Sequence, residues 1–411
     1  MRVLIIGIGT RGDVAPYTGL GVRLRDAGHE VAIAAHTPYS DLVTACGLEF
    51  RPVAGDPLPL LPVSAGGARM SPAAKARMFA EYGRLTADGI LAAAEKGTDV
   101  LLLGAAASAG YHVAEAMEIP SMGVHLQPIE PTGDFPPVTG AFSRSLGRRG
   151  NRAAARMLFA APSPAHAGSA KHLRARLGLP PVTSNAVYRR REQTRWPVYH
   201  GHSAAVLPRP ADWREGLEVA GYWWPERAPG WRPPTKLLDF LESGPPPVYV
   251  GFGSMGSGDL GRHTEIVLAA LRQARLRGVL QTGAAGLAVE DDDVLGVGDV
   301  PHEWLFPRMA AVAHHAGSGT TAAGIRAGVP AVGLPVMGDQ RLWAGRLAAL
   351  GVGPGAIPIR RLSAPRLAAA LSAAVADPSH RRRAADLAER VGREDGARVV
   401  VEAVERLGVP W

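Results

Sequence analysis

The chain has a single cysteine, Cys46, in 411 residues. One thiol excludes an internal disulfide framework and a cysteine-built metal centre, and it fits a reducing compartment. Aromatic residues make up 6% of the chain and are not interleaved with the arginine runs at 189–191 and 381–383. That excludes the stacking platforms of nucleic-acid binders and leaves those runs as expected solvated faces. Long apolar stretches are also missing. VLIIGIG at 3–9 is too short and too glycine-rich for a secretory core, and nothing approaches the ~20 apolar residues that span a bilayer. The expectation is a cytoplasmic protein with no transmembrane segment. The net charge of +8 suggests at most weak peripheral membrane contact or an anionic ligand, and it also fits a chain simply rich in arginine.

What is present is glycine (50), proline (35) and an apolar fraction of 46%. That much apolar sequence supports large cores, and the length suggests two or three domains. RVLIIGIG (2–9) reads as a buried parallel strand, Tyr17 to Ala27 as an amphipathic helix closed by Gly28, and EVAIAAH (30–36) as the next strand. DVLLLGAA (99–106), YHVAEAMEIP (111–120) and SMGVHLQP (121–128) continue the strand–helix rhythm, which argues a doubly wound α/β domain. Residues 51–75 and 129–170 interrupt it, the second with Arg144, Arg148, Arg149 and Arg152, and both read as loops. The Pro- and Trp-rich stretch 210–234 reads as a linker. A second set of strands and helices follows, ending in one helix over 380–407.

The most informative stretch is 298–343, GDVPHEWLFPRMAAVAHHAGSGTTAAGIRAGVPAVGLPVMGDQRLW. A buried strand delivers His314 and His315, a small-residue bend follows, and a helix begins. Free N–H groups at a helix start make an anion site. Gly317, Ser318, Gly319, Thr320 and Thr321 lie there, and the His315 ring can add a donor. His314 should point the opposite way as a structural residue. A second strand delivers Asp339 and Gln340 beyond its carboxyl end, where open α/β sheets bind ligands. Trp304 lies upstream, where a flat ring could stack on a base.

This segment, together with GTRGDVAPYTGLGVRLRDAGHEVAIAAH near the N-terminus, resembles the GT-B glycosyltransferases. The closest likeness is to the bacterial branch that glycosylates antibiotics and sterol-like aglycones. The resemblance implies two Rossmann-like domains facing a cleft. Residues 1–209 would form an acceptor-binding domain and 210–234 a linker. Residues 235–390 would form a nucleotide-sugar domain, and 391–411 a helix returning to the first domain. It implies an inverting transfer of a hexose from UDP-glucose or a dTDP-sugar to a small lipophilic acceptor, with neither metal nor cofactor and no nucleic-acid partner. Asp13, in RGDV, takes the position of the proposed base; no histidine precedes His29. His125 is the reserve base or an acceptor contact. Thr10 and Gly12 shape the loop near the sugar, Arg11 would contact a phosphate or pair with Asp13, and Ser254 lines the diphosphate side. His315 and the 317–320 bend hold the phosphates, and Asp339 and Gln340 hold sugar hydroxyls. Plant relatives carry a ribose-binding glutamate where this chain has Ala323.

Other readings stay open at this point. Gly7, Gly9 and Gly12 spell the dinucleotide fingerprint, but the second strand ends AAHTP (34–38) without its carboxylate, and Asp13 would repel a pyrophosphate. Asp13 could simply cap its helix. EDDD (290–293) contains a D-x-D, the diphosphate–metal motif of a different glycosyltransferase fold; here it reads as a solvated turn. A catalytically silent helper and a sugar-nucleotide epimerase of the same fold are the remaining alternatives.

Overall fold

The computed structural model describes residues 1–55, 71–138, 144–160, 164–227, 230–253, 260–281 and 291–407. In chain order the first half runs β1 (Arg2–Ile6), α1 (Arg11–Asp26), β2 (Glu30–His36), α2 (Ser40–Thr44), β3 (Glu49–Val53), α3 (Pro72–Glu95), β4 (Val100–Leu103), α4 (Ala109–Met117), β5 (Ser121–His125), α5 (Gly147–Ala160), α6 (Pro164–Arg176), α7 (Ser184–Gln193), β6 (Val198–His200) and β7 (Leu217–Val219). The second half runs α8 (Thr235–Glu242), β8 (Val248–Gly251), α9 (Leu260–Ala274), β9 (Gly278–Gln281), β10 (Val294–Val297), α10 (His302–Leu305), β11 (Ala311–His314), α11 (Ser318–Arg326), β12 (Ala331–Gly333), α12 (Gln340–Ala349), α13 (Ala364–Ala376), α14 (Pro378–Gly392) and α15 (Gly396–Leu407).

The strands form two sheets, ordered β3-β2-β1-β4-β5-β6-β7 and β10-β9-β8-β11-β12, and every pairing is parallel. Parallel strands need crossover helices on both faces, so the central strands are apolar throughout. Leu4, Ile5 and Ile6 of β1, and Val248 and Val250 of β8, are fully buried. In each sheet the order reverses beside the first strand of its domain, and the loops beyond β1 and beyond β11 emerge at that edge. This is the GT-B arrangement of two doubly wound domains around a cleft.

Several elements differ from the sequence reading, each for a local reason. Residues 129–170 are not mainly loop: α5 and the start of α6 occupy much of them, and an Ala- and Arg-rich composition hides their pattern. Arg148 is paired with Asp134, and Arg152 lies 3.7 Å from Asp212. The run 189–191 is not uniformly solvated. Arg190 bonds Glu115 at 2.8 Å, and Arg191 lies over the Trp196 ring, 3.3 Å from Glu130. In the other run, Arg381 donates to the Ala310 carbonyl at 2.6 Å. The 210–234 stretch contributes β7, the outermost strand of the first sheet. The expected single helix over 380–407 is two. Its break at residues 393–395 is fixed by Glu394, which accepts the Ser203 hydroxyl at 2.8 Å, and by Asp395, which accepts the Arg398 N–H at 3.1 Å and pairs with Arg23 at 2.7 Å.

Helix α15 packs on the first domain. Ala397, Val400, Val401 and Val404 share a core with Leu20 and Leu24 of α1. The Trp223 indole donates to the Gly396 carbonyl at 3.1 Å. The connecting chain also presses on α1, where the Glu226 N–H donates to the Thr18 hydroxyl at 2.9 Å. A Cβ at Gly19 would overlap the Trp224 carbonyl oxygen. Alanine is the better helix former by ~1 kcal/mol, yet the close approach should dominate. We expect Gly19→Ala to destabilise the protein by about 1–3 kcal/mol in urea unfolding; an unchanged or raised midpoint would show that the linker is not seated on α1.

Candidate active site

The loop leaving β1 turns into α1 at Thr10, the N-cap. The Asp13 carboxylate reaches back one turn and accepts from the Thr10 N–H at 2.8 Å and from its hydroxyl at 3.0 Å. Asp13 is therefore the third helical residue of a capping arrangement, not the cap itself. Its other oxygen accepts from the Gln127 amide at 3.3 Å. Burial raises the Asp13 pKa, and the Thr10 and Gln127 donors oppose the rise. The glycine fingerprint has its own explanation here. A side chain at Gly9, whose φ is +139°, would collide with the Asp13 carboxylate, and one at Gly7 would come within 2.9 Å of the Tyr17 ring. Gly12 is exposed, and a Cβ there would meet only the Thr10 hydroxyl at 3.8 Å. The first two glycines thus make room for side chains of α1, and no dinucleotide is needed to account for them.

Facing this loop is the start of α11. His314, buried at the end of β11, accepts the Ala316 N–H on Nδ1 at 3.0 Å. This bond holds the bend, in which Ala316 takes a left-handed backbone with φ 60°. Such a conformation costs a non-glycine residue about 1 kcal/mol or more and is kept where the surroundings enforce it. Gly317 is the N-cap of α11. The N–H groups of Ser318, Gly319 and Thr320 lie in the first turn, where a helix has no acceptors of its own. The His315 ring is fitted between two glycines. A Cβ at Gly253 would come within 2.9 Å of its Nε2, and one at Gly317 would overlap the same atom. Burial lowers the His315 pKa to about 4, so the ligand-free ring is neutral near pH 7. Its buried Nδ1 has no hydrogen-bond partner among the described residues. Before an anion arrives, the ring therefore offers a dipole and not a positive charge.

At the carboxyl end of β12, Asp339 accepts the Trp343 indole N–H on Oδ2 at 2.8 Å. Burial raises the Asp339 pKa to about 6; the Trp343 bond opposes this and the Asp13 charge adds to it. The two carboxylates thus sense one another across the cleft. Gln340 is buried, and its carbonyl accepts from the N–H groups of Val336 at 2.8 Å and Met337 at 3.1 Å. Only its NH2 group is left for a ligand hydroxyl.

Two of the contacts between the facing halves lie beside the loops that carry Asp13 and the bend. The Ser318 hydroxyl donates to the Leu126 carbonyl at 3.4 Å, and Arg11 pairs with Asp299 at 3.1 Å. Arg11 is thus tied to the opposite domain, and not to Asp13. Since both its partners are exposed, the pair is a weak latch. The structure does not gather every expected residue. His125 is buried, with Nδ1 3.8 Å from Glu130 and its ring 5.8 Å from that of His200, and burial lowers its pKa well below the usual value. Trp304 sits on α10, with the Arg308 guanidinium 4.2 Å over its ring and Trp231 at 5.4 Å. Ser254 and the first residue of EDDD lie outside the described residues. Among the described residues, no group of three or more His, Cys, Asp or Glu is placed to hold a metal ion, and no helix is long and apolar enough to cross a membrane. Beside α11 lies a cavity of about 730 Å³ walled by Trp224, Trp231, Glu303, Pro307, Ala323 and Arg326. Gln127 and Trp343 escaped the sequence reading. The first lies just past the carboxyl end of β5, and the second is one helical turn from Asp339; either position could have flagged its residue.

Two helix starts, one bearing a carboxylate and the other the Gly317 bend, thus face each other across the cleft of a GT-B fold. Comparison with known proteins gives it a family. Residues 3–128 match the glycosyltransferase family 28 N-terminal domain, and residues 280–407 match the erythromycin biosynthesis protein CIII-like C-terminal domain. The chain is 36% identical to O-mycaminosyltylonolide 6-deoxyallosyltransferase of Streptomyces fradiae, over 96% of this chain and 95% of that protein. It is 32% identical to a sterol 3-beta-glucosyltransferase of Arabidopsis thaliana over 98% of this chain, which spans 65% of the length of that relative. The fold matches the glycotransferase of kitacinnamycin with a TM-score of 0.72 at 21% identity, covering 100% of this chain and 99% of the other. The chain belongs to the GT-B glycosyltransferase family that includes these bacterial natural-product and sterol glycosyltransferases.

The Asp339 carboxyl group binds its proton more tightly folded, at about 6, than at its ordinary 3.8. Between those values the folded state holds more protons, so this group's contribution to stability is greatest below pH 3.8 and is lost as pH rises through 6. Relative to Asp339→Asn, the ligand-free wild type should therefore gain on the order of 2–3 kcal/mol between pH 7 and pH 4. Parallel pH–stability curves for the two proteins would show that Asp339 is not strained by burial.

Proposed function

We propose that the protein is an inverting, metal-independent hexosyltransferase of the cytoplasm. It moves a hexose from UDP-glucose or a dTDP-sugar to a hydroxyl of a lipophilic natural product or lipid, in secondary metabolism. The observation that carries this reading is the opposition of Asp13, on the first domain, to His315, the 317–320 bend and Asp339 on the second. The names of the two curated relatives, a deoxyallosyl and a glucosyl transferase, support a hexose donor and a bulky, largely apolar acceptor.

In this reading the donor diphosphate lies against the first turn of α11. The N–H groups of Ser318, Gly319 and Thr320, the helix dipole and the His315 ring take up the charge of the leaving group. An arriving diphosphate would also favour protonation of His315. Asp339 accepts from sugar hydroxyls on Oδ1, and the Gln340 NH2 donates to another. The nucleoside runs along the outer face of α11, past Ala323, toward the cavity between Trp224 and Trp231, whose ring abuts that of Trp304. The acceptor enters from the first domain.

The acceptor oxygen attacks the anomeric carbon from the Asp13 side. As that bond forms, the bond to the diphosphate oxygen breaks and its electron pair leaves with the phosphate. The hydroxyl proton passes to Asp13. A carboxylate is a far weaker base than an alkoxide, so proton transfer is late and concerted with sugar transfer. Burial strengthens the base, while Thr10 and Gln127 fix its direction.

Asp13→Ala should keep nucleotide affinity within a few-fold, measured by calorimetry, and lose at least about 100-fold in kcat. A variant retaining most of its turnover would refute the base assignment. Turnover should also persist after chelation with EDTA, and a strict requirement for magnesium or manganese would refute the metal-free mechanism.

A further inference from the structure

The carboxylate that faces the sugar position is gripped from behind. Asp339 is the N-cap of α12, and Trp343, one turn further on, places its indole N–H 2.8 Å from Oδ2. Trp343 is fully buried, so its ring cannot swing. A carboxylate bonded on one oxygen by an immobile donor has that oxygen held in place, which narrows the directions its second oxygen can take. The bond is also charge-assisted when Asp339 is ionised.

Trp343 is in turn held by the other domain. The His202 ring, itself fully buried, meets it edge-on at 5.6 Å and 60°. His202 belongs to the loop 201–207 that leaves β6. That loop has a second hold on α12, because Arg346 Nε donates to the Val206 carbonyl at 2.8 Å. The loop is itself anchored. The Gly201 N–H donates to the His125 carbonyl at 2.8 Å, the Gly221 N–H to the His202 carbonyl at 3.1 Å, and the Ser203 hydroxyl to Glu394 at 2.8 Å. Helix α12 therefore carries Asp339 at its start and is seated at two points by the acceptor-side domain.

We infer that Trp343 is a positioning residue for the donor sugar, and that the 201–207 loop, through His202 and Val206, sets the aim of Asp339 from the opposite domain. The inference rests on the reading of Asp339 as a sugar ligand. Its consequence is that the sugar is held firmly only while the two domains are seated on each other. The nucleotide alone, bound at α11, makes no contact with Asp339 and so does not depend on the seating of α12.

The test compares UDP with UDP-glucose, or dTDP with dTDP-glucose if those bind better, by calorimetry. Trp343→Phe keeps a ring in the core and removes the N–H. It should bind the nucleoside diphosphate as the wild type does, within about twofold, and the sugar nucleotide about tenfold more weakly, the loss expected for one hydrogen bond to a charged group. The donor KM should rise more than kcat falls. The pH midpoint of sugar-nucleotide affinity should move upward, because the indole no longer favours the ionised carboxylate. Arg346→Met leaves the core intact and should show the same selective loss to a smaller degree, which keeps the test decisive if Trp343→Phe does not fold. Equal losses for both ligands, or no loss for either, would overturn the inference. Asp339→Asn separates the two levels. If it spares sugar-nucleotide affinity, the reading of Asp339 itself has failed. If it weakens that affinity while Trp343→Phe and Arg346→Met do not, only the positioning inference has failed.

Discussion

The structure turns on one bend. His314 accepts the Ala316 N–H from inside the sheet edge, which holds Ala316 in a left-handed conformation and sends the chain into α11, whose first-turn N–H groups have no acceptor within the helix. The glycines around it follow from that geometry. Gly253 and Gly317 leave space for the His315 ring, and Gly317 lets the helix start without a side chain over its end. An anion is the natural occupant of such a place. A concentrated negative charge is held there by dipoles already in position, so no reorganisation is required when it forms.

The same logic runs in mirror image on the first domain. There Asp13, in the first turn of α1, accepts from the N–H and the hydroxyl of Thr10, the residue that caps the helix. Burial of both Asp13 and Asp339 raises their affinity for protons, which fits the proposed role of the first as a base. Among the described residues, contacts between the domains lie both at the cleft mouth and at its base. Arg11–Asp299 and Ser318–Leu126 bridge the mouth, while α15, the 201–207 loop and the chain around Trp224 lock the base.

Much of this was legible in the sequence because it is local. Strands such as RVLII and VYVG are apolar runs that parallel sheets demand, and the bend after HH combines small residues with a helix start. Side chains that act through tertiary contact were less legible. His125 looked like a cleft residue from its place after a strand, yet its ring lies in the interior beside His200. Trp304 looked free to stack on a base, yet Arg308 already covers one face of its ring. The arginines of α5 masked a helix as a loop, and the break before Gly396 is held by contacts of Glu394 and Asp395 with distant residues, which periodicity does not show. Gln127 and Trp343 matter only through their bonds to Asp13 and Asp339, and no motif announces a partner 114 positions away.

The account is tested most directly by the position of a bound nucleoside diphosphate. A crystal structure with UDP or dTDP should show β-phosphate oxygens accepting hydrogen bonds from the backbone N–H groups of Ser318, Gly319 or Thr320, with the His315 ring in contact and no cation between them. A diphosphate bound elsewhere, with the first turn of α11 left without it, would contradict the account at its root.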